Sequence, residues 1–233
     1  MAGDFTIDYV RLPDGRRPAR EFIDSLDDQA AAKVDAFIER LRVYGTRMHG
    51  KFVEKLTHVL FELRVKHFDR IFRVLFFYQP GMLIVITSAF QKKSQKTPPA
   101  EIARAEELRA IVAAASKPVL EPEGGKGMKN DKYSQVVQER MRRSPRYRRA
   151  FLRSLQQIDL AMLVREMREA AALSQKQLAD RVGTTRSVIA RLEDAQYTGQ
   201  SLRMLERIAT ACGVNLKLRA EKKPGFDREV VLA

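Results

Sequence analysis

The residues best suited to chemistry fall into two groups. In the first half of the chain Arg64 and Arg73 lie within β-rich runs, and Lys92, Lys93 and Lys96 crowd a short stretch just beyond a third such run. A guanidinium is a planar fork of donors that grips an oxyanion at two points, so two of them on one sheet make a clamp. Ammonium groups held close together repel, which lowers their pKa values towards a range useful for proton transfer. Tyr78 and Phe90 add aromatic faces to the same region. The plain alternative is a solvated strand with Glu62 and Arg64 as a same-face pair, and lysines that keep a loop soluble.

The second group lies between Leu173 and Glu193. Ser174 is placed to cap a helix that opens with Gln175 and Lys176, and Leu178, Ala179 and Val182 face inward from it. Gly183 permits a tight turn, after which Thr185, Arg186 and Ser187 begin a second helix anchored by Val188, Ile189 and Leu192. This is helix-turn-helix spacing, in which the second helix enters the major groove of DNA. On that geometry Thr185, Arg186 and Ser187 reach base edges, Gln175 and Lys176 meet backbone phosphate, and Arg191 is a further DNA-binding candidate.

The elements that must carry these groups follow from pattern. Residues 5–11 alternate as an edge strand, residues 18–26 and 29–44 read as helices, and residues 59–66, 70–78 and 82–90 are β-rich. Gln79-Pro80-Gly81 joins the last two runs as a hairpin, and residues 100–115 form a closing helix. The expected product is an α+β domain over residues 1–116, with an antiparallel sheet and helices. Residues 117–132 contain two prolines and three glycines and read as a linker. Residues 133–233 read as an all-α helix-turn-helix domain that ends in a short strand near 215–219. Between Arg140 and Arg149 stand six arginines, interrupted at Pro145, which either touch DNA phosphate or form a solvated helix face.

Composition narrows the partners. Lys and Arg number 43 against 29 Asp and Glu, a net charge of +14, with most of the excess beyond the linker, so polyanions are favoured. Apolar residues make up 45% of the chain, enough for two folded domains. Cys212 has no partner for a disulfide, which fits a reducing cytoplasm, and neither a signal pattern nor a membrane-spanning run is present. His49, His58 and His67 lack metal-ligand spacing, so no metal or other cofactor is expected; His67, close to Arg73, is a further candidate for a general acid.

Phe61-Glu62-Leu63-Arg64, Ile71-Phe72-Arg73-Val74 and the stretch Phe90-Gln91-Lys92-Lys93-Ser94-Gln95-Lys96-Thr97-Pro98, with the 45–55 segment, resemble one family in order and spacing. It is the phage-derived, HigB-like branch of the RelE toxin superfamily, and the resemblance covers most of residues 5–112. It implies a metal-independent endoribonuclease, an mRNA interferase that enters the ribosomal A site and cuts the messenger. It implies Arg64 and Arg73 as stabilisers of phosphorane charge, one of Lys92, Lys93 and Lys96 as proton carrier, and Phe90 or Tyr78 as an RNA-binding surface.

The second group, with Ser201-Leu202-Arg203-Met204-Leu205-Glu206-Arg207-Ile208-Ala209 and Gly213-Val214-Asn215-Leu216, resembles Cro and lambda-repressor-like proteins, specifically HigA-type antitoxins, over about residues 145–220. Ala190 departs from a serine common in that family. This resemblance implies a transcription repressor that binds operator DNA, a homodimer through the C-terminal domain, and a contact with the toxin domain within or between chains. The segment ahead of the helix-turn-helix would share in that contact. Together the two halves read as a toxin-antitoxin fusion. A repressor with a catalytically inactive toxin-like interaction domain is the competing reading, and a joining of two neighbouring genes, with Met128 as a former start, is the third.

Overall fold

The computed structural model describes residues 5–92, 96–115, 132–197, 199, 201–222 and 226–232. Residues 117–131 of the expected linker, Met128 among them, lie outside the described residues, as does Lys93. The chain divides into two compact units, Met1–Leu155 and Gln156–Ala233.

The first unit is a five-stranded sheet with helices. β1 (Thr6–Tyr9) is followed by α1 (Pro18–Asp24), α2 (Asp28–Tyr44), β2 (Val53–Lys55), β3 (Leu60–His67), β4 (Arg70–Gln79), β5 (Leu83–Gln91) and α3 (Pro99–Ala115). Pro18 starts α1 where a missing N–H is harmless, and the Asp27 carboxylate caps α2 by accepting from the amides of Gln29 and Ala30 at 3.1 Å each. α2 stops at Gly45, whose φ of 53° and close approach to the Phe5 ring leave no room for a Cβ. The strand order is β1-β5-β4-β3-β2. The sheet is antiparallel as expected except at β1, which runs parallel to β5, a pairing made possible by the long run of chain between them.

Alternation divides the sheet into two faces. Phe72 and Phe76 point to one face, where Phe72 meets Phe22 of α1. On the other, Leu60, Leu75 and Phe90 pack against Ala105 and Ile102 of α3, and Phe77 and Val85 pack against Leu108. Two further helical pieces belong to this unit: α4 (Lys132–Arg143) and the first part of α5 (Pro145–Ala170).

The second unit holds the rest of α5, then α6 (Gln175–Arg181), α7 (Arg186–Leu192) and α8 (Leu202–Cys212) around a core of Val164, Leu178, Ile189, Leu192 and Ile208. A hairpin of β6 (Leu216–Lys222) and β7 (Phe226–Leu232) closes it, where the sequence announced only the first strand. Gly213, in the left-handed conformation at φ 69°, ends α8 and turns the chain towards β6.

Candidate functional site

Arg64 on β3 stands directly opposite Arg73 on β4, and Arg73 stands directly opposite Phe90 on β5. Residues paired in this way project from one face. Glu62, two residues before Arg64, projects from that face too and is only 1% exposed. Its Oε1 accepts from Arg64 Nε at 3.0 Å and lies 3.1 Å from Arg73 Nη1. Arg64 also pairs with Glu54 on β2, and the Thr97 hydroxyl donates to Glu62 Oε2. Arg73 Nε is buried without a hydrogen bond among the described residues. Two guanidiniums side by side repel one another, and the shared carboxylate beneath them offsets that cost while fixing both forks in place.

The chain after β5 lies beside this pair. The Lys92 amide donates to the Ile71 carbonyl at 2.7 Å, extending the ladder by one residue, and Thr97 returns to Glu62 before α3 begins. Partial burial, then the charges of Arg73 and Arg64, hold the Lys92 ammonium below its ordinary pKa. Burial likewise lowers Arg73 and Arg64, though a guanidinium stays charged throughout.

The structure thus gathers Arg64, Arg73, Phe90 and Lys92, and leaves Lys96 exposed in the same loop. Phe90 packs partly under α3. Tyr78 is not part of the group: it belongs to an aromatic cluster with Phe61 and Phe76 on the opposite face, and burial pushes its hydroxyl up to about 12. His67 ends β3, where burial and then the charge of Arg70 lower its pKa, and it stands three residues beyond Arg64 along the strand. Sequence reasoning took Glu62 only as a same-face partner of Arg64 on a solvated strand; the structure buries it and sets it between Arg64 and Arg73.

A second buried carboxylate organises another part of the unit. Asp35, in the middle of α2 and 0% exposed, accepts from Arg20 Nη1 at 2.8 Å and from the Tyr147 hydroxyl at 2.6 Å. The Asp35 carbonyl accepts from the Tyr133 hydroxyl at 2.6 Å. Arg140 Nη2 lies 2.8 Å from the Asp24 carboxylate, and the Ser144 hydroxyl donates to Asp28 at 2.6 Å. Tyr133, Arg140, Ser144 and Tyr147 therefore clasp α4 and the head of α5 onto α1 and α2. The six arginines divide accordingly: Arg140 docks, while Arg142, Arg143, Arg146, Arg148 and Arg149 are exposed.

In the second unit Ser174 and Gln177 form a reciprocal capping box at the start of α6, with bonds of 3.2 and 2.8 Å. The turn at Gly183 takes φ 60° and is braced by Arg207, which donates to the Val182 carbonyl. Thr185, Arg186 and Ser187 are all exposed at the start of α7, with the two hydroxyls 2.8 Å apart. Lys176 is exposed. Gln175 is held by Glu193 at 2.8 Å, and Glu193 is buried against Arg168 at 2.5 Å, which ties α5, α6 and α7 together. Arg191 lies over the Tyr197 ring at 5.8 Å. Among the described residues no helix is long and apolar enough to cross a membrane, and no group of three metal-ligating side chains occurs.

Comparison with known proteins agrees with this division. Residues 21–110, from α1 to α3, match the family described as phage derived protein Gp49-like, and residues 159–221 match the family described as helix-turn-helix domain. Over 51 residues the chain is 47% identical to an uncharacterized HTH-type transcriptional regulator of Methanothermobacter thermautotrophicus, a stretch that covers 22% of this chain and 72% of that protein.

Proposed function

We propose, for a chain that belongs to the helix-turn-helix transcriptional regulators and carries a phage-derived Gp49-like domain ahead of that module, that its two parts are a toxin and its antitoxin. The first is an RNA endonuclease that cuts messenger on the ribosome. The second is a HigA-like repressor that binds operator DNA as a homodimer and restrains the first within the same chain.

The observation that carries the nuclease reading is the Arg64–Arg73 pair, set over one buried carboxylate and beside Lys92. RNA supplies its own nucleophile. Its 2′-hydroxyl loses a proton and attacks the adjacent phosphorus, and the 5′-oxygen leaves with a proton, giving a cyclic phosphate and a free hydroxyl. The two guanidiniums hold the non-bridging oxygens as their charge grows, Glu62 keeps the forks oriented, and neutral Lys92 accepts the 2′-hydroxyl proton. Lys93 and Lys96 supply further charge for the RNA backbone, and Phe90 offers the edge of a ring. In the second unit Arg186, with Thr185 and Ser187, reads base edges, and Lys176 meets phosphate.

The restraint is supported by the clasp of α4 and α5 on α1 and α2. The test is expression of residues 1–116 and of the whole chain in a bacterial host. Growth arrest from the fragment and little effect from the whole chain are expected, because a tethered inhibitor acts at high effective concentration. One feature favours a second reading, a repressor with an inactive toxin-like module: Glu62 and Glu54 between them already pair with both arginines. Normal growth with a folded fragment would select it.

A further inference from the structure

β3 and β4 are joined by a two-residue turn, Phe68-Asp69, between the paired residues His67 and Arg70. Such turns require a positive φ at their first position, where glycine is the residue without steric cost. Here the position holds phenylalanine, at φ 54°. A bulky side chain there strains the backbone. Packing gives little in return, because Phe68 is 73% exposed, and among the described residues its ring neighbour is His67 at 4.6 Å between centroids. An aromatic ring is thus held out in solvent, at a cost, on a short stiff turn.

The surroundings indicate what it meets. Lys66, one rung from the turn, shares the face of the Arg64–Arg73 pair and extends its row of charge, whereas His67 and Arg70 project from the other face, where Asp27 engages Arg70 at 2.7 Å. The Arg64–Arg73 pair lies three rungs down the same two strands. At ~3.3 Å per residue the rung that carries the turn stands about 10 Å along the strands from that pair, and Phe68 is one residue beyond it. A cationic track with an aromatic ring alongside is the arrangement that binds single-stranded nucleic acid, since every base has a face to stack.

We propose that Phe68 is a stacking platform for a base of single-stranded RNA, flanking the phosphate held at Arg64 and Arg73. The assignment rests on the RNA reading of that pair and adds to it a residue at the end of the sheet where the Lys92 amide bonds Ile71. Phe68 touches the strand being cut without touching the reacting atoms, so it sets affinity and register rather than the chemistry.

The experiment uses the whole chain and an uncleavable, 2′-O-methylated oligouridine carrying one fluorescent purine, with binding read by anisotropy and stacking by quenching. Phe68→Gly is expected to weaken binding by about tenfold and to abolish quenching, since one stacked base contributes ~1–3 kcal/mol. The same variant is expected to melt at a temperature no lower than the parent, because glycine adopts the turn freely. Phe68→Trp is expected to keep both affinity and quenching. Phe68→Asn, which tolerates the left-handed conformation, repeats the loss if the glycine variant folds poorly. Unchanged affinity in Phe68→Gly, with binding weakened in Arg73→Ala, overturns the stacking site and leaves the proposed nuclease standing. No binding by the unaltered chain overturns the stacking site, and the nuclease reading is then decided by the growth assay with residues 1–116. Unchanged RNA affinity with lost sedimentation on ribosomes overturns the assignment in favour of a protein contact at the turn.

Discussion

At the scale of single residues, the cationic pair separates function from stability in a testable way. Arg73→Ala removes one interaction with Glu62 but also relieves the repulsion from Arg64, so thermal unfolding should change little. RNA cutting in a translating extract should fall by roughly 10²–10³, the usual loss when one donor to a developing oxyanion is removed. Glu62→Gln should do the reverse on stability, because it takes from buried Arg73 its carboxylate partner beside Arg64, which keeps only Glu54. If Arg73→Ala unfolds the protein while Glu62→Gln does not, the carboxylate is not the organiser argued above. Lys92 adds a pH dependence. Its pKa is lowered, first by burial and then by Arg73, so the neutral amine that accepts a proton appears below the ordinary lysine value of 10.5. The cutting rate should rise with pH and level off short of that value. Lys92→Arg, which cannot lose its proton, should remove the rise. In the second unit Arg186→Ala should cost roughly 1–3 kcal/mol of discrimination between operator and random DNA, measured by competition, whereas Lys176→Ala should weaken both about equally.

At the scale of elements, sequence pattern gave β3, β4, β5 and the helix-turn-helix with nearly the observed limits, because alternation and capping are local signals. It also brought Arg64, Arg73 and Phe90 to one sheet. It grouped Tyr78 with them by aromatic type, although alternation along β4 already puts Tyr78, five residues from Arg73, on the opposite face; the irregularity opposite Leu75 and Phe76, which changes the face that β5 presents, left no mark in the residue types. The clasp was equally hidden: Asp35 is one carboxylate within the apolar run Ala30 to Ile38, and its partners lie in helices far along the chain. That clasp has a pH signature. Burial, then Asp35, raise the pKa values of Tyr133 and Tyr147 above the ordinary tyrosine value of 10.0. A raised folded-state pKa means stability that is complete below 10.0 and lost as pH climbs beyond it, since the unfolded chain ionises first. Tyr147→Phe should therefore lower stability at neutral pH by about 1–3 kcal/mol, through the donor lost to buried Asp35, and make the alkaline decline shallower. Thermal melts across the alkaline range read both effects, and an unchanged slope would remove Tyr147 from the clasp.

At the scale of the whole molecule, the sequence placed a boundary by composition, at the proline- and glycine-containing residues 117–132, while the packing of the chain divides it between Leu155 and Gln156, inside α5. Composition registers where a chain has little to bury. It does not register where a later segment folds back onto an earlier one. The fold-back means that α4 and the head of α5 are attached to the first unit twice, once by covalent continuity and once by the bonds at Asp24, Asp28 and Asp35. Severing the backbone between residues 116 and 131 would break none of those bonds, so a nicked protein should still elute as one particle. A gene split at that place would still yield an assembled pair, which makes the one-gene and two-gene arrangements mechanically interchangeable. What the continuous chain adds is stoichiometry: under the proposed function every Gp49-like domain is synthesised with its own restraint, in equal number, whereas two separate messages can be translated unevenly and two separate products degraded unevenly.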